Sequence, residues 1–205
     1  VYNNYETDLF QALITAAAIT GALLAFVKTG DHVLVTDSVY GPTRRFCDTV
    51  LARMGIDTTY FDPLIGEGIA GLMQPNTSVV FVETPGSLTF EIQDVPAIAA
   101  VAHDAGAKVI ADTTWGSPFI YQPFAHGIDV SVIAATKYIV GHSDAMLGTA
   151  SATEDCLAPL REMVRSLGYC AGPDDCYLGQ RGLRTLAVRL RQHETSGLKI
   201  ARWLT

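Results

Sequence analysis

Short runs of β-branched and apolar residues, each followed by a stretch with helical spacing, constrain this chain more than any other feature. The runs are Val33–Thr36, Thr58–Phe61, Ser78–Glu83, Lys108–Asp112, Val130–Ala134 and Ala145–Ala150, which suits strands better than helices. Helical patterns lie between them, at Thr43–Met54 and Asp94–Ala105. In the second, Asp94 is placed to cap the N-terminus, Pro96 fits the first turn and Gly106 stops the helix. Strands alternating with helices imply an α/β unit, a mostly parallel sheet with helices on both faces. In such sheets chemistry collects at the carboxyl ends of the strands.

The chain has 205 residues, 49% hydrophobic and 17% charged, which excludes a disordered or collagen-like chain and allows a substantial core. With 14 basic against 21 acidic residues and a net charge of -7, neither nucleic acid nor an anionic membrane is expected as a partner. Cys47, Cys156, Cys170 and Cys176 form no C-x-x-C pair and have no His at zinc-finger spacing. No metal site is expected, and the thiols read as reduced, in a cytoplasmic protein. Leu9–Val27 carries no charge, but Glu6 and Asp8 precede it instead of basic residues. It reads as a buried helix ended by Lys28-Thr-Gly30, not as a signal peptide or a membrane span. From Asp155 onward the pattern is helical, and Thr185–Leu204 reads as one long helix with Gly197 near its middle. Starting at Val1 and stopping inside that helical pattern, the chain reads like a fragment.

A catalytic amine can be sought by elimination among four lysines. Lys28 fits a helix C-terminus, Lys108 a strand entrance and Lys199 the exit helix. Lys137 follows the small-residue run Ile133-Ala-Ala-Thr136 at the end of a strand. There it can form an imine with a carbonyl cofactor, or simply snorkel to the rim. Asp112 ends another strand, where a carboxylate needs a cation or hydrogen bonds unless it only caps a loop. Tyr40, before Gly41-Pro42, can stack on a flat ring or pack its loop. Gly86, in Glu83-Thr-Pro-Gly-Ser87, allows backbone to approach a ligand. His142 and Asp144 read as structural hydrogen-bonding groups, Arg184, Arg189 and Arg191 as a solvated or interface face, and Asp174-Asp175 as a helix cap.

Tyr40-Gly-Pro-Thr43, Glu83-Thr-Pro-Gly-Ser-Leu88, Asp94-Val-Pro-Ala-Ile98, Asp112-Thr-Thr-Trp115, Ala135-Thr-Lys-Tyr-Ile-Val-Gly-His-Ser-Asp144, Arg181-Gly-Leu-Arg-Thr-Leu186 and Arg189-Leu-Arg-Gln-His193 occur in this order. Together they resemble the Cys/Met-metabolism pyridoxal phosphate enzymes, and within that family the bacterial cystathionine β-lyase branch. The resemblance implies the fold type I large domain over residues 1–182, incomplete at its N-terminus. Residues 183–205 would be a helix leading toward a small C-terminal domain outside the chain. It also implies pyridoxal 5'-phosphate as cofactor and β-elimination of cystathionine to homocysteine, pyruvate and ammonia. Lys137 would hold the cofactor and move protons, Asp112 would keep the pyridine nitrogen protonated, Tyr40 would stack on the ring, and Thr136 would bind the phosphate. The intact protein would be a cytoplasmic homo-oligomer, a dimer of dimers, acting on a sulfur-containing amino acid.

Two departures from the family pattern stand out. Ala134 occupies a place where many relatives carry Ser, and Ile14-Thr-Ala-Ala-Ala-Ile19 lacks the Gly of the family's phosphate turn, so weaker cofactor binding is expected. The Tyr-x-Arg pair and the carboxylate-binding Arg of the family would lie outside the chain. Cystathionine γ-synthase, γ-lyase and sulfhydrylase activities, or a non-catalytic scaffold, are the competing readings. A nucleotide-binding domain is disfavoured because no G-x-G-x-x-G follows a strand run.

Overall fold

The computed structural model describes residues 16–205. The described strands are β1 (His32–Thr36), β2 (Asp57–Phe61), β3 (Thr77–Glu83), β4 (Lys108–Asp112), β5 (Val130–Ala134) and β6 (Gly148–Ala152). They form a six-stranded sheet in the order β2-β1-β3-β4-β5-β6. Neighbours from β2 to β5 pair in parallel, and β6 runs antiparallel to β5. The described helices are α1 (residues 16–24), α2 (Gly41–Phe46), α3 (Val95–Asp104), α4 (Ser117–Ile120), α5 (Glu154–Ser166), α6 (Pro173–Leu183) and α7 (Leu186–Leu204).

Strands β1, β3 and β4 are apolar on both sides because both sides are covered. Val33, Val35, Val79, Phe81, Ile110, Val130 and Val132 face one core with Ile19 and Leu23 of α1, Leu51, and Cys156 and Leu160 of α5. Leu34, Val80, Val82, Val109 and Ala111 face the other, against Ile69 and against Val95, Ile98, Ala99 and Ala102 of α3. Alternation along the strand thus feeds two cores, and each buried Val, Leu or Ile contributes about 1.5–3 kcal/mol. Helix α3 forms as its sequence predicts: Asp94 Oδ1 accepts from the Ala97 N–H at 3.2 Å, Pro96 sits in the first turn, and Gly106 follows with φ +80°.

Three expectations need correction. Residues 9–15 of the Leu9–Val27 segment lie outside the described residues, and α1 ends at residue 24, before Lys28. Lys28-Thr-Gly30 is a turn into β1, not a helix cap. Its Lys28 N–H donates to Asp31 Oδ2 at 2.9 Å, and Gly30, at φ +90°, donates to the Gly55 carbonyl at 2.8 Å. The Thr43–Met54 helix starts earlier, at Gly41, and widens into a π turn at Cys47–Leu51. Strand β6 starts at Gly148, not Ala145, because Leu147 is spent on Thr136: Leu147 N–H donates to Thr136 Oγ1 at 2.8 Å, and Thr136 N–H donates to the Leu147 carbonyl at 2.9 Å.

Among the described residues, no helix is long and apolar enough to cross a membrane, and no cluster of three or more His, Cys, Asp or Glu is arranged to hold a metal ion.

Candidate active site

The parallel strands deliver their polar ends to one edge of the sheet. Tyr40 is the N-cap residue of α2, just beyond β1. Glu83 ends β3, Asp112 ends β4, and Thr136 and Lys137 follow β5. All of them line one cleft of about 620 Å³, with Arg189 of α7 on its wall. The four residues nominated from sequence, Tyr40, Asp112, Thr136 and Lys137, are therefore brought together. The strand order reverses between β1 and β3, which is where open α/β sheets place their ligands.

Asp112 is 6% exposed. Its Oδ1 accepts from the Thr114 N–H at 2.9 Å. The Thr114 hydroxyl accepts from the Ala134 N–H at 2.8 Å, leaving its own hydrogen for the Asp112 carboxyl. Burial raises the Asp112 pKa, and the bonds from Thr114 oppose that rise. Glu83 stands beside it, since the two residues are register partners across β3 and β4. Burial first, and the Asp112 charge second, push Glu83 up to about 8, while the Tyr40 N–H pulls it down. Two buried carboxyls on one wall favour a cationic ligand group there.

Lys137 lies in a tight turn. Its N–H donates to the Ala134 carbonyl at 3.0 Å, and its carbonyl accepts from Gly141 at 2.8 Å. The side chain is exposed into the cleft. The Thr136 hydroxyl accepts from Leu147 N–H and reaches the Leu147 carbonyl at 3.3 Å, and Ala134 adds no second hydroxyl. Residues 14 and 15 of the altered phosphate turn lie outside the described residues, while residues 16–19 belong to α1.

His142 and Asp144 are structural, as expected: His142 Nδ1 bonds the Val140 carbonyl at 2.8 Å, and Asp144 pairs with Arg181 at 2.9 Å. Asp174 and Asp175 lie in the first turn of α6, with Gly172 at the cap position. Two expectations fail. The Cβ that Gly86 lacks would meet Ser38 Oγ at 2.6 Å, so Gly86 lets two loops pack instead of admitting a ligand. Nor is Arg189 solvated: it donates to the carbonyls of Tyr138, Ile139 and Gly182 at 2.7, 3.1 and 2.9 Å.

Glu83, Arg189, Thr114 and the rim residues Trp115, Tyr138 and His193 also line this cleft, and none of them was nominated from sequence. Glu83 carried the same signal as Asp112, an acid closing a β-branched run. The aromatic rim extends from Trp115, edge-on to Phe90 at 5.1 Å, to Tyr138 at 6.3 Å and on to His193.

The donor set suits a flat cofactor with an aldehyde and a protonable ring nitrogen: an amine for the carbonyl, a buried carboxylate for the ring cation, and an aromatic ring on the wall. The chain is 49% identical over 191 residues to cystathionine beta-lyase MetC of Escherichia coli, covering 92% of this chain and 48% of that protein. It is 39% identical to the L-alanine/L-glutamate racemase of Wolbachia pipientis, covering 95% of this chain and 48% of the other. The crystal structure of cystathionine gamma-lyase from Lactobacillus plantarum complexed with L-serine superposes with a TM-score of 0.88 at 32% identity, covering 92% of this chain and 50% of that one. The chain thus spans about half the length of the curated relatives it matches. A profile of the Cys/Met metabolism PLP-dependent enzymes matches residues 11–205, and the chain belongs to that pyridoxal phosphate-dependent family.

Proposed function

We propose that the protein carrying this chain catalyses β-elimination of cystathionine to homocysteine, pyruvate and ammonia. One observation carries the reading: Lys137 and the buried Asp112 line a single cleft with Tyr40. When bound, pyridoxal 5'-phosphate would supply an electron sink for the substrate α-carbon. Asp112 would hold negative charge against the ring nitrogen and keep it protonated. Tyr40 would supply an aromatic face for the ring. Lys137 Nζ would hold the cofactor carbonyl and would then be the group to take the proton from the substrate α-carbon and give one to the departing sulfur. Thr136 Oγ1 is the phosphate contact in this reading, exchanging its 3.3 Å bond to the Leu147 carbonyl for the stronger acceptor.

A second reading, racemisation or γ-elimination, draws support from the names of the similar racemase and γ-lyase. All three reactions begin with removal of the α-proton, so their products separate them. We also take the intact protein to be a cytoplasmic homo-oligomer, a dimer of dimers. Exposed Leu88 and Phe90, the latter against Trp115 of the cleft rim, support burial of that rim by a second copy.

The test offers cystathionine to the full-length protein loaded with pyridoxal phosphate. Homocysteine and pyruvate are expected. Cysteine with 2-oxobutyrate would replace the reading by γ-elimination, interconversion of D- and L-alanine would replace it by racemisation, and no turnover of either substrate would favour the scaffold.

A further inference from the structure

Glu83 belongs to none of the roles assigned so far, yet it touches two of the groups that hold them. It is 5% exposed, it ends β3 at the register position opposite Asp112, and its Oε2 accepts from the Tyr40 backbone N–H at 2.8 Å. The strand end beneath it is braced. Gln93 Nε2 donates to the Glu83 carbonyl at 3.0 Å and to Thr36 Oγ1 at 2.8 Å, tying the ends of β1 and β3 together.

We propose that Glu83 is a positioning residue for this cleft: a buried, protonated carboxyl that seats Tyr40 through its backbone N–H and leaves Asp112 as the charged member of the pair. The inference rests on the reading of Lys137, Asp112 and Tyr40 as a pyridoxal phosphate site. Two carboxyls at one register position cannot both ionise cheaply. The proton goes to the one with less support for its charge. Asp112 takes bonds from both the N–H and the hydroxyl of Thr114, whereas Glu83 takes only the Tyr40 N–H. A cationic ring nitrogen at Asp112 would sharpen that difference.

A neutral carboxyl that works through its carbonyl oxygen can be replaced by an amide. In Glu83→Gln the acceptor for Tyr40 remains, and the charge on the pair is unchanged. In Glu83→Met the side-chain length is kept and the acceptor is lost, which holds the packing closer to native than Glu83→Ala does. The experiment is a titration of the full-length apoprotein with pyridoxal phosphate, read as Kd and as the pH midpoint of the visible band of the bound cofactor. Glu83→Met is expected to raise Kd by about tenfold, the loss of one hydrogen bond to a positioned group. Glu83→Gln is expected to stay within about threefold of wild type, with the pH midpoint unmoved. If Glu83→Met binds like wild type, or Glu83→Gln binds as weakly as Glu83→Met, the role is overturned while the proposed function stands. Wild-type protein that takes up no pyridoxal phosphate overturns both.

Discussion

Arg189 on α7 donates to the carbonyl of Tyr138, the residue next to Lys137, at 2.7 Å. Its guanidinium also reaches the carbonyls of Ile139 at 3.1 Å and Gly182 at 2.9 Å, and Thr185 Oγ1 at 3.0 Å. One planar fork therefore joins the lysine turn, the end of α6 and the start of α7. A lysine ammonium cannot serve these acceptors in one plane. Arg189→Lys should lower the free energy of unfolding by about 1–3 kcal/mol, and Arg189→Met by at least as much, since buried carbonyls lose their donors. Chemical denaturation checks this; unchanged midpoints in both variants would show that the clamp is idle.

Gly182 faces the same loop from α6. A Cβ there would lie 2.0 Å from the Ile139 carbonyl oxygen and 2.7 Å from that of Val140. Backbone cannot yield as a flexible side chain can, so Gly182→Ala forces α6 off the lysine turn. The expected loss is about 2–3 kcal/mol, well above the roughly 1 kcal/mol that alanine gains over glycine in a helix interior. A thermal melt at or above the wild-type temperature would contradict this packing.

These contacts mark where the sequence was readable. Tyr40, Asp112, Thr136 and Lys137 could be placed on one sheet edge because Asp112 closes, and the other three follow, a β-branched run, and a parallel sheet aligns such ends. The π turn at Cys47–Leu51 could not be read from the pattern, because a single widened turn inside a helix is too short to change the apolar periodicity legibly. Glu83 closes its predicted strand just as Asp112 does, but only the pairing of β3 with β4 sets the two acids side by side. Arg189 looked solvated because a basic residue on an amphipathic helix usually is. Only the docking of α7 against the turn after β5 reveals its partners. Gly30 shows the converse error: a real glycine signal, with positive φ, belonged to a turn into β1 and not to the end of α1.

The carboxyl pair carries a pH signature. Glu83 rises from 4.5 to about 8 on folding, first through burial and then through the Asp112 charge. Between those values the folded state keeps a proton that the unfolded chain releases. The contribution to stability is therefore full below about 4.5 and is lost as pH rises through about 8. Urea denaturation of the cofactor-free protein should show stability falling across that window. Glu83→Gln, with no proton to lose, should flatten the fall, the remaining slope belonging to Asp112, which is also raised. Parallel pH profiles for the two proteins would refute the assignment.

In the proposed reading Lys137 is the amine that holds pyridoxal phosphate. Full-length protein incubated with the cofactor and reduced with borohydride should carry one pyridoxyl group, and peptide mass spectrometry should find it on Lys137 Nζ. The Lys137→Ala variant should carry none and lose the visible band. Label on Lys28, Lys108 or Lys199 in place of Lys137, or an undiminished band in Lys137→Ala, would contradict the account.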